Sequence, residues 1–134
     1  MKSGNIVIID YGVGNIRSVG NALAALGYGC TISRDTRDIR RAACLILPGV
    51  GAFGEGMRNL KELGLVNTLN EAVRVQKTPL LGIYLGMQLL ADSSEEGGTH
   101  QGLGYISGRV VKFDEEKTPR IPHVGWNTLR IIKR

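Results

Sequence analysis

A short segment in the middle of the chain has the spacing of a nucleophile elbow. Residues 82–86 read Gly-Ile-Tyr-Leu-Gly, so that two glycines flank a central side chain, Tyr84. In an elbow the glycines let the backbone turn sharply from a strand into a helix, which exposes the central side chain. The amino terminus of the following helix lowers the pKa of an anionic nucleophile such as a thiolate. The same spacing also fits a plain structural turn.

Two further glycine-rich segments favour a site over a plain turn. Residues 48–51 read Pro-Gly-Val-Gly, and the backbone N–H groups of Gly49, Val50 and Gly51 are candidates to stabilise an oxyanion. Residues 12–14 read Gly-Val-Gly. Each segment by itself is explained by a turn that needs positive φ. Three of them at the ends of predicted strands indicate a binding site.

The apolar pattern places these segments in a fold. Short apolar runs bounded by turn residues predict buried strands at residues 5–10, 30–32, 43–47 and 80–83. Apolar residues three and four apart predict a helix at residues 16–26, a charged segment predicts one at 35–41, and helical patterns occupy 55–63, 65–76 and about 85–91. This alternation predicts an α/β fold with a parallel sheet and helices on both faces. Such sheets bind ligands at the carboxyl ends of their strands, where the glycine-rich segments fall.

The pattern changes after Gly104. Residues 105–113 and 128–132 have the composition of strands with no helix between them. We therefore expect an antiparallel extension of the fold. No repeat or low-complexity segment marks a boundary, so residues 1–134 are expected to form a single domain.

Composition and charge bear on whether the chain binds nucleic acid. The net charge of +5 raises the possibility of nucleic-acid binding, but aromatic residues make up only 5% of the chain and leave few stacking platforms. The densest basic group alternates with aspartates and consists of Arg34, Arg37, Arg40 and Arg41. These arginines are better explained as a solvated surface, so we expect no nucleic-acid partner.

The apolar runs and the cysteines lead to predictions about the cellular compartment, a membrane span and a metal site. No run of eighteen apolar residues is present, so we expect no membrane span. Cys30 and Cys44 lie in apolar surroundings without metal-ligand spacing, which favours a reducing cytoplasm and no metal site. We also expect no cofactor.

Four short motifs, taken together and in this order, identify a specific protein family that the chain resembles. In chain order they are residues 10–15, 48–53, 82–88 and 122–127, which read Asp-Tyr-Gly-Val-Gly-Asn, Pro-Gly-Val-Gly-Ala-Phe, Gly-Ile-Tyr-Leu-Gly-Met-Gln and Pro-His-Val-Gly-Trp-Asn. The chain resembles, over essentially its whole length, the amidotransferase subunits of imidazole glycerol phosphate synthase. These subunits are similar to other class I glutamine amidotransferases, a flavodoxin-like α/β family.

The resemblance implies glutamine hydrolysis through a cysteinyl thioester. The ammonia then passes to a (β/α)8-barrel cyclase subunit, the heterodimer partner, which uses it in histidine biosynthesis. By motif, Gly49, Val50 and Gly51 would form the oxyanion loop, while Gln88 and Glu96 would hold the substrate glutamine.

The resemblance also places Asn15 and Trp126 toward the cyclase. Simpler roles remain open for three of these residues. Asn15 is also a candidate to cap its helix, Gln88 to be solvated and Trp126 to lie in the core.

The first departure from the family is Tyr84, which occupies the position of the nucleophilic cysteine. A phenol is almost wholly protonated at neutral pH and forms no thioester. It is bulkier than cysteine, so we expect it to crowd the glutamine pocket, with backbone strain of about 1–3 kcal/mol if the elbow persists. Cys30 and Cys44 belong to early predicted strands and are not expected to replace it.

The second departure concerns the catalytic base. The family's His-x-Glu lies further toward the C-terminus, so the resemblance implies that the C-terminal part of the family domain is missing. The two histidines, His100 and His123, are not followed two residues later by glutamate. A base and its orienting carboxylate are thus not expected, and the polypeptide as written is predicted to be inactive.

Three hypotheses remain. The chain represents a glutaminase subunit as a fragment or mutated copy, or it is a catalytically dead subunit that docks on the cyclase. The third is a flavodoxin-like binder of a phosphorylated small molecule, which is disfavoured because Gly-x-x-x-x-Gly-Lys-Ser/Thr does not occur. Similar amidotransferase and cyclase pairs serve surface-sugar pathways, and the motifs do not separate the two.

Overall fold

The computed structural model of the protein describes residues 2–117 and 120–132. Its main sheet has four strands in the order β2-β1-β3-β4, and every pairing is parallel. The strands are β1 Lys2–Ile9, β2 Tyr28–Ser33, β3 Cys44–Leu47 and β4 Leu80–Gly82. The parallel sheet predicted from the short apolar runs is thus confirmed.

Helices connect these strands where the apolar spacing predicted them. They are α1 Ile16–Ala25, α2 Thr36–Arg40, α3 Phe53–Glu62, α4 Leu65–Asn70 and α5 Leu85–Leu89. The predicted helix at 65–76 changes character partway, because α4 continues as a π-helical turn, Glu71–Val75. Left-handed Gly64 (φ 67°) separates α3 from α4.

Helices lie on both faces of the sheet, as predicted. Successive side chains of a strand point to opposite faces. Val7, Ile9, Leu45 and Leu47 pack in the core with the apolar side chains of α2, α3, α4 and α5. On the opposite face, Gly20 of α1 lies against Ile8 and Cys30.

A second, smaller sheet differs from its prediction. It contains β5 Ala91–Ser94, β6 His100–Gln101 and β7 Ile106–Val110 in the order β6-β5-β7. The β5–β6 pair is antiparallel, but β7 runs parallel to β5, so the expectation of an antiparallel extension was wrong for β7. The predicted helix at 85–91 stops at Leu89 and the chain enters β5 instead.

No strand forms at residues 128–132, which corrects the second part of that expectation. Leu129 and Ile132 are more than nine-tenths exposed. A strand needs a neighbour for its backbone groups, and an apolar pattern alone does not supply one. Within residues 2–117 and 120–132, no helix has the length and apolar character to cross a bilayer.

Candidate active site

The turn from β4 to α5 has the backbone of an elbow. Tyr84 lies directly before α5 with φ 55° and ψ −115°, a conformation that side-chain-bearing residues rarely adopt. Its side chain is 68% exposed. The predicted position of Tyr84, with an unusual backbone between a parallel strand and a helix, is confirmed.

Close backbone approach explains the two glycines that flank Tyr84. A Cβ atom on Gly82 would lie 2.7 Å from the Cα atom of Met87. A Cβ atom on Gly86 would collide with the carbonyl oxygen of Leu47, at the end of β3. Because only glycine fits at either position, the elbow is fixed by packing as well as by its turn.

The predicted oxyanion loop, residues 48–51, lies beside this elbow. The Tyr11 hydroxyl donates to the Pro48 carbonyl oxygen at 2.6 Å, and the Leu85 N–H donates to the Gly49 carbonyl oxygen at 3.2 Å. Within residues 2–117 and 120–132, the N–H groups of Gly49, Val50 and Gly51 have no acceptor. Unpaired backbone amides that point toward an elbow are suited to binding an anionic oxygen.

The Gly49–Val50 peptide presents its carbonyl group, and not its N–H group, to the elbow. In elbow enzymes, the N–H of the residue after the nucleophile is an oxyanion donor, and here that residue is Leu85. Its N–H is already bonded to the Gly49 carbonyl. In a trans peptide the C=O and N–H point in opposite directions, so the Val50 N–H points away from Leu85. In this structure the N–H groups of Val50 and Leu85 therefore do not both face the elbow.

Gln88 and Glu96 line one cleft, so the structure brings the two predicted substrate residues together. The cleft measures about 460 Å³ and is completed by Glu95, Gly97, Val110, Val111 and Lys112. Gln88 follows Tyr84 by one helical turn, with its N–H donating to the Tyr84 carbonyl at 3.2 Å. Tyr84 is not among the lining residues, so the crowding expected from its bulk is not seen in this cleft.

Comparison with known proteins agrees with this geometry. The sequence profile of class-I glutamine amidotransferases matches residues 7–131. The chain belongs to this family. It is 50% identical over 129 residues to imidazole glycerol phosphate synthase subunit HisH 1 of Campylobacter jejuni strain 81-176, covering 96% of this chain and 64% of the relative.

Other members of the family extend this similarity. HisH 2 of Methanococcus maripaludis is 53% identical over 125 residues, which cover 93% of this chain and 61% of that protein. HisH of Geobacillus thermodenitrificans is 49% identical over 129 residues, with coverage of 93% and 60%. The chain thus spans about six-tenths of the length of these curated relatives.

A solved structure described as a glutamine amidotransferase has the same fold. It superimposes with a TM-score of 0.62 and 22% sequence identity, and the match covers 78% of this chain and 55% of the other. At that identity the likeness establishes the fold alone. It supports the predicted α/β class.

Two residues that the family resemblance assigned to a partner are exposed. Asn15 precedes α1, yet its side chain makes no capping hydrogen bond, so capping does not account for it. Trp126 is fully exposed, which rules out the alternative that it lies in the core of this structure. Contact with a cyclase remains a prediction for both residues.

Neither histidine is placed as the base of an amidotransferase triad. His100 packs against Phe53, with ring centroids 6.5 Å apart, and against Gly54 at the start of α3. The His123 ring meets the Phe113 ring edge-on at 5.9 Å. Among the described residues, no group of three or more His, Cys, Asp or Glu side chains is arranged to hold a metal ion.

The cysteines also lie away from the elbow. Cys30 and Cys44 are free thiols on β2 and β3, both paired in register with Ile6 of β1. Cys44 is the first residue of β3, at the opposite end of the sheet from Tyr84. The expectation that neither cysteine replaces the nucleophile therefore agrees with their positions.

Ion pairs engage most of the basic group that raised the nucleic-acid possibility. Arg34 pairs with Asp10 at 2.5 Å, Arg37 with Asp35 at 2.7 Å and Arg40 with Glu71 at 2.8 Å. The Arg34 guanidinium lowers the pKa of Asp10, whose carboxylate also accepts a hydrogen bond from the Gly12 N–H. The Arg34–Asp10 ion pair thus orders the glycine-rich turn at residues 12–14.

Two features of the site were not identified from the sequence. Tyr11 appeared only within a motif, although its buried hydroxyl holds the oxyanion loop. Lys112 was assigned only to a strand, although it brings a positive charge to the Gln88–Glu96 cleft. An aromatic residue between a buried strand and a glycine-rich turn was the only signal for Tyr11. No local signal indicated Lys112.

Proposed function

We propose that this chain is an imidazole glycerol phosphate synthase amidotransferase subunit whose elbow no longer hydrolyses glutamine. It retains the glutamine cleft and the surface for the cyclase. Tyr84 carries this proposal, because the elbow backbone is kept while a phenol stands where the family has a thiol. A phenol at this position does not attack the substrate carboxamide to form a thioester.

Glutamine is the substrate class that the cleft supports. A free amino acid carries one charge of each sign, and the cleft offers the carboxylate of Glu96 with the ammonium group of Lys112, which also pairs with Glu115. One oxygen of Glu96 accepts the Phe53 N–H, which leaves the other to accept from an α-ammonium group. Gln88, one turn beyond the elbow, would hold the bound glutamine from α5.

The partner is a (β/α)8-barrel cyclase subunit, bound as a heterodimer. Exposed Asn15 and Trp126 support this assignment, because large exposed aromatic side chains are typical anchors of protein interfaces. In the working synthase, ammonia released at the elbow passes to the cyclase for histidine biosynthesis. Free thiols at Cys30 and Cys44 are compatible with the cytoplasm as its site.

Glutamine binding by the chain tests the substrate assignment. Addition of L-glutamine to the ¹⁵N-labelled protein should shift the amide resonances of Gln88 and Glu96. Glu96→Gln should weaken binding by roughly tenfold, since it removes a charge-assisted contact worth about 1.5 kcal/mol. Glu95→Gln is the matched control, because the Glu95 carboxylate is held by Arg109 at 2.9 Å and should change binding less than threefold.

No resonance shift at saturating glutamine would contradict the assignment. Equal effects of the two substitutions would contradict the role given to Glu96.

A further inference from the structure

A second cleft lies between α3, α4, the π-helical turn and β6. It measures about 450 Å³ and shares no lining residue with the Gln88–Glu96 cleft. Among the described residues, none of the side chains that line it is a carboxylate. Its polar side chains all carry N–H donors and are those of Lys61, Asn70, Arg74 and Gln101. The cleft therefore offers two positive charges and two amide groups to a ligand.

The Arg74 guanidinium is held in place by the segment that follows β6. Its Nη2 atom donates to the carbonyl oxygens of Leu103 at 3.1 Å and Gly104 at 2.8 Å, and the group lies 5.3 Å from the centroid of the Tyr105 ring. Within residues 2–117 and 120–132, its Nε and Nη1 atoms have no acceptor and Arg74 forms no ion pair. A guanidinium that is oriented but not neutralised is suited to contact an oxyanion.

Asn70 and Lys61 are also free to donate. The Tyr105 hydroxyl donates to Asn70 Oδ1 at 3.0 Å, which leaves the amide nitrogen of Asn70 as a donor. Lys61 lies in the last turn of α3, and its ammonium group has no partner in the part of the chain that the structure describes. Neither Lys61 nor Arg74 therefore gives up an ion pair when it binds an anion.

The surroundings of Lys61 are positive as well. Lys61 also lines an adjoining cleft of about 260 Å³, to which Arg58, Glu62 and His100 contribute. The Glu62 carboxylate lies on the Arg58 side, 3.9 Å from that guanidinium. Positive charge thus exceeds negative charge around the two clefts, which favours an anionic ligand.

We propose that this cleft, defined by Lys61 and Arg74, binds a small phosphate monoester. Such a group carries nearly two negative charges at neutral pH and three acceptor oxygens, which match two cations and two amide donors. A carboxylate has only one charge and two oxygens. The proposal does not depend on glutamine binding or on a partner, since it concerns a separate set of residues.

An apolar wall indicates where the rest of the ligand lies. The same cleft is lined by buried Met57 and Leu103 and by partly buried Val66. Its volume falls within the range of about 300–1,000 Å³ that is typical of small-molecule sites, so it has room for more than the phosphate group. We therefore place a short carbon skeleton against Met57, Val66 and Leu103.

Titration of the ¹⁵N-labelled chain with n-butyl phosphate at constant ionic strength tests the site. The Gly102 amide and the side-chain amides of Asn70 and Gln101 should shift and saturate. Lys61→Gln should weaken binding roughly tenfold, as expected for the loss of one charge-assisted contact. Because Lys61 is exposed and has no partner among the described residues, this variant should fold like the parent. Lys77→Gln is the matched control, since it removes the same charge from an exposed lysine outside both clefts, and it should change binding less than about twofold.

Two further probes separate the parts of the ligand. Pentanoate has the same carbon chain with a carboxylate, and inorganic phosphate has the charge without the chain. Each should bind roughly fivefold more weakly than n-butyl phosphate, or weaker still. Equal binding of pentanoate would overturn the assignment of a phosphate, and equal binding of inorganic phosphate would overturn the role of the apolar wall. No saturable shift, or equal weakening in the two lysine variants, would overturn the site itself.

Discussion

Glu96 accepts a hydrogen bond from the backbone N–H of Phe53 at 2.9 Å and so joins the Gln88–Glu96 cleft to the end of the predicted oxyanion loop. Phe53 is the first residue of α3, and the preceding residue, Ala52, has no side chain able to cap the helix. A carboxylate from a distant segment takes that role. The proposed substrate contact and the geometry of the loop therefore share one side chain.

Removal of this carboxylate should destabilise the fold. Glu96→Ala is expected to lower the free energy of unfolding by about 1–2 kcal/mol, because the helix loses a charged N-terminal acceptor. Urea denaturation measures the effect. Glu62→Ala serves as control, since its pair with Arg58 is exposed and 3.9 Å long, and should stay within about 0.5 kcal/mol of the parent. Equal losses in both variants would show that Glu96 does not cap α3.

Replacement of Tyr84 by glycine should relieve the backbone strain at this position. With φ 55° and ψ −115°, a side-chain-bearing residue is strained, so Tyr84→Gly is expected to raise the unfolding free energy by about 1 kcal/mol. Tyr84→Ala removes the ring but keeps a Cβ atom, so it should bring no such gain. A glycine variant no more stable than the alanine variant would mean that the elbow stores no strain.

Alkaline pH should destabilise the protein through two phenols, those of buried Tyr11 and half-buried Tyr105. Burial raises the pKa of Tyr105 to about 12 and that of Tyr11 higher still. In the unfolded chain both ionise near pH ~10, so above that pH the unfolded state binds fewer protons than the native state. Their contribution is complete below pH ~10 and is lost as the pH rises further.

Thermal unfolding followed from pH 8 to pH 11.5, with phenolate absorbance recorded in parallel, checks this dependence. Tyr105→Phe should make the decline in stability above pH ~10 shallower. Ionisation of all four tyrosines before any unfolding would contradict the burial of Tyr11 and the partial burial of Tyr105.

The outer edge of β4 should promote self-association. Among the described residues β4 is the last strand of its sheet, and the Leu81 side chain is 54% exposed. Unpaired edges with apolar side chains recruit other strands.

We expect the isolated chain to be poorly soluble, and Leu81→Lys should lower the aggregated fraction seen by analytical ultracentrifugation. Val75→Lys, at an exposed apolar position in the π-helical turn, is the control and should have little effect. A monodisperse parent with a sharp, reversible thermal transition would contradict this expectation.

The main sheet and the elbow could be predicted because each depends on a short stretch of sequence, an apolar run or a pair of glycines. The apolar residues 45–47 are buried on both faces, and the glycines that flank Tyr84 are required by close backbone contacts. The turn at residues 12–14 also falls where its glycines predicted it, with positive φ at Gly12 and Gly14.

Features that depend on distant partners were not predictable in this way. β5 reads Ala-Asp-Ser-Ser, a polar run that becomes a strand because β6 and β7 pair with it. The Tyr11–Pro48 hydrogen bond joins residues 37 positions apart, and no local pattern reports it. Conversely, residues 128–132 have a strand-like composition but no neighbouring strand in the described structure.

Glutamate formation from glutamine by four proteins tests the central role of Tyr84 most directly. The proteins are the parent, Tyr84→Cys, the parent extended by the His-x-Glu-bearing C-terminal segment of a relative, and the extended Tyr84→Cys chain, each assayed with the cyclase and its ligand. Triad members act as a unit, so either single repair should leave turnover near background. Only the doubly repaired chain should release glutamate at an appreciable rate. Appreciable turnover by the extended chain that keeps Tyr84 would contradict the claim that this residue silences the elbow.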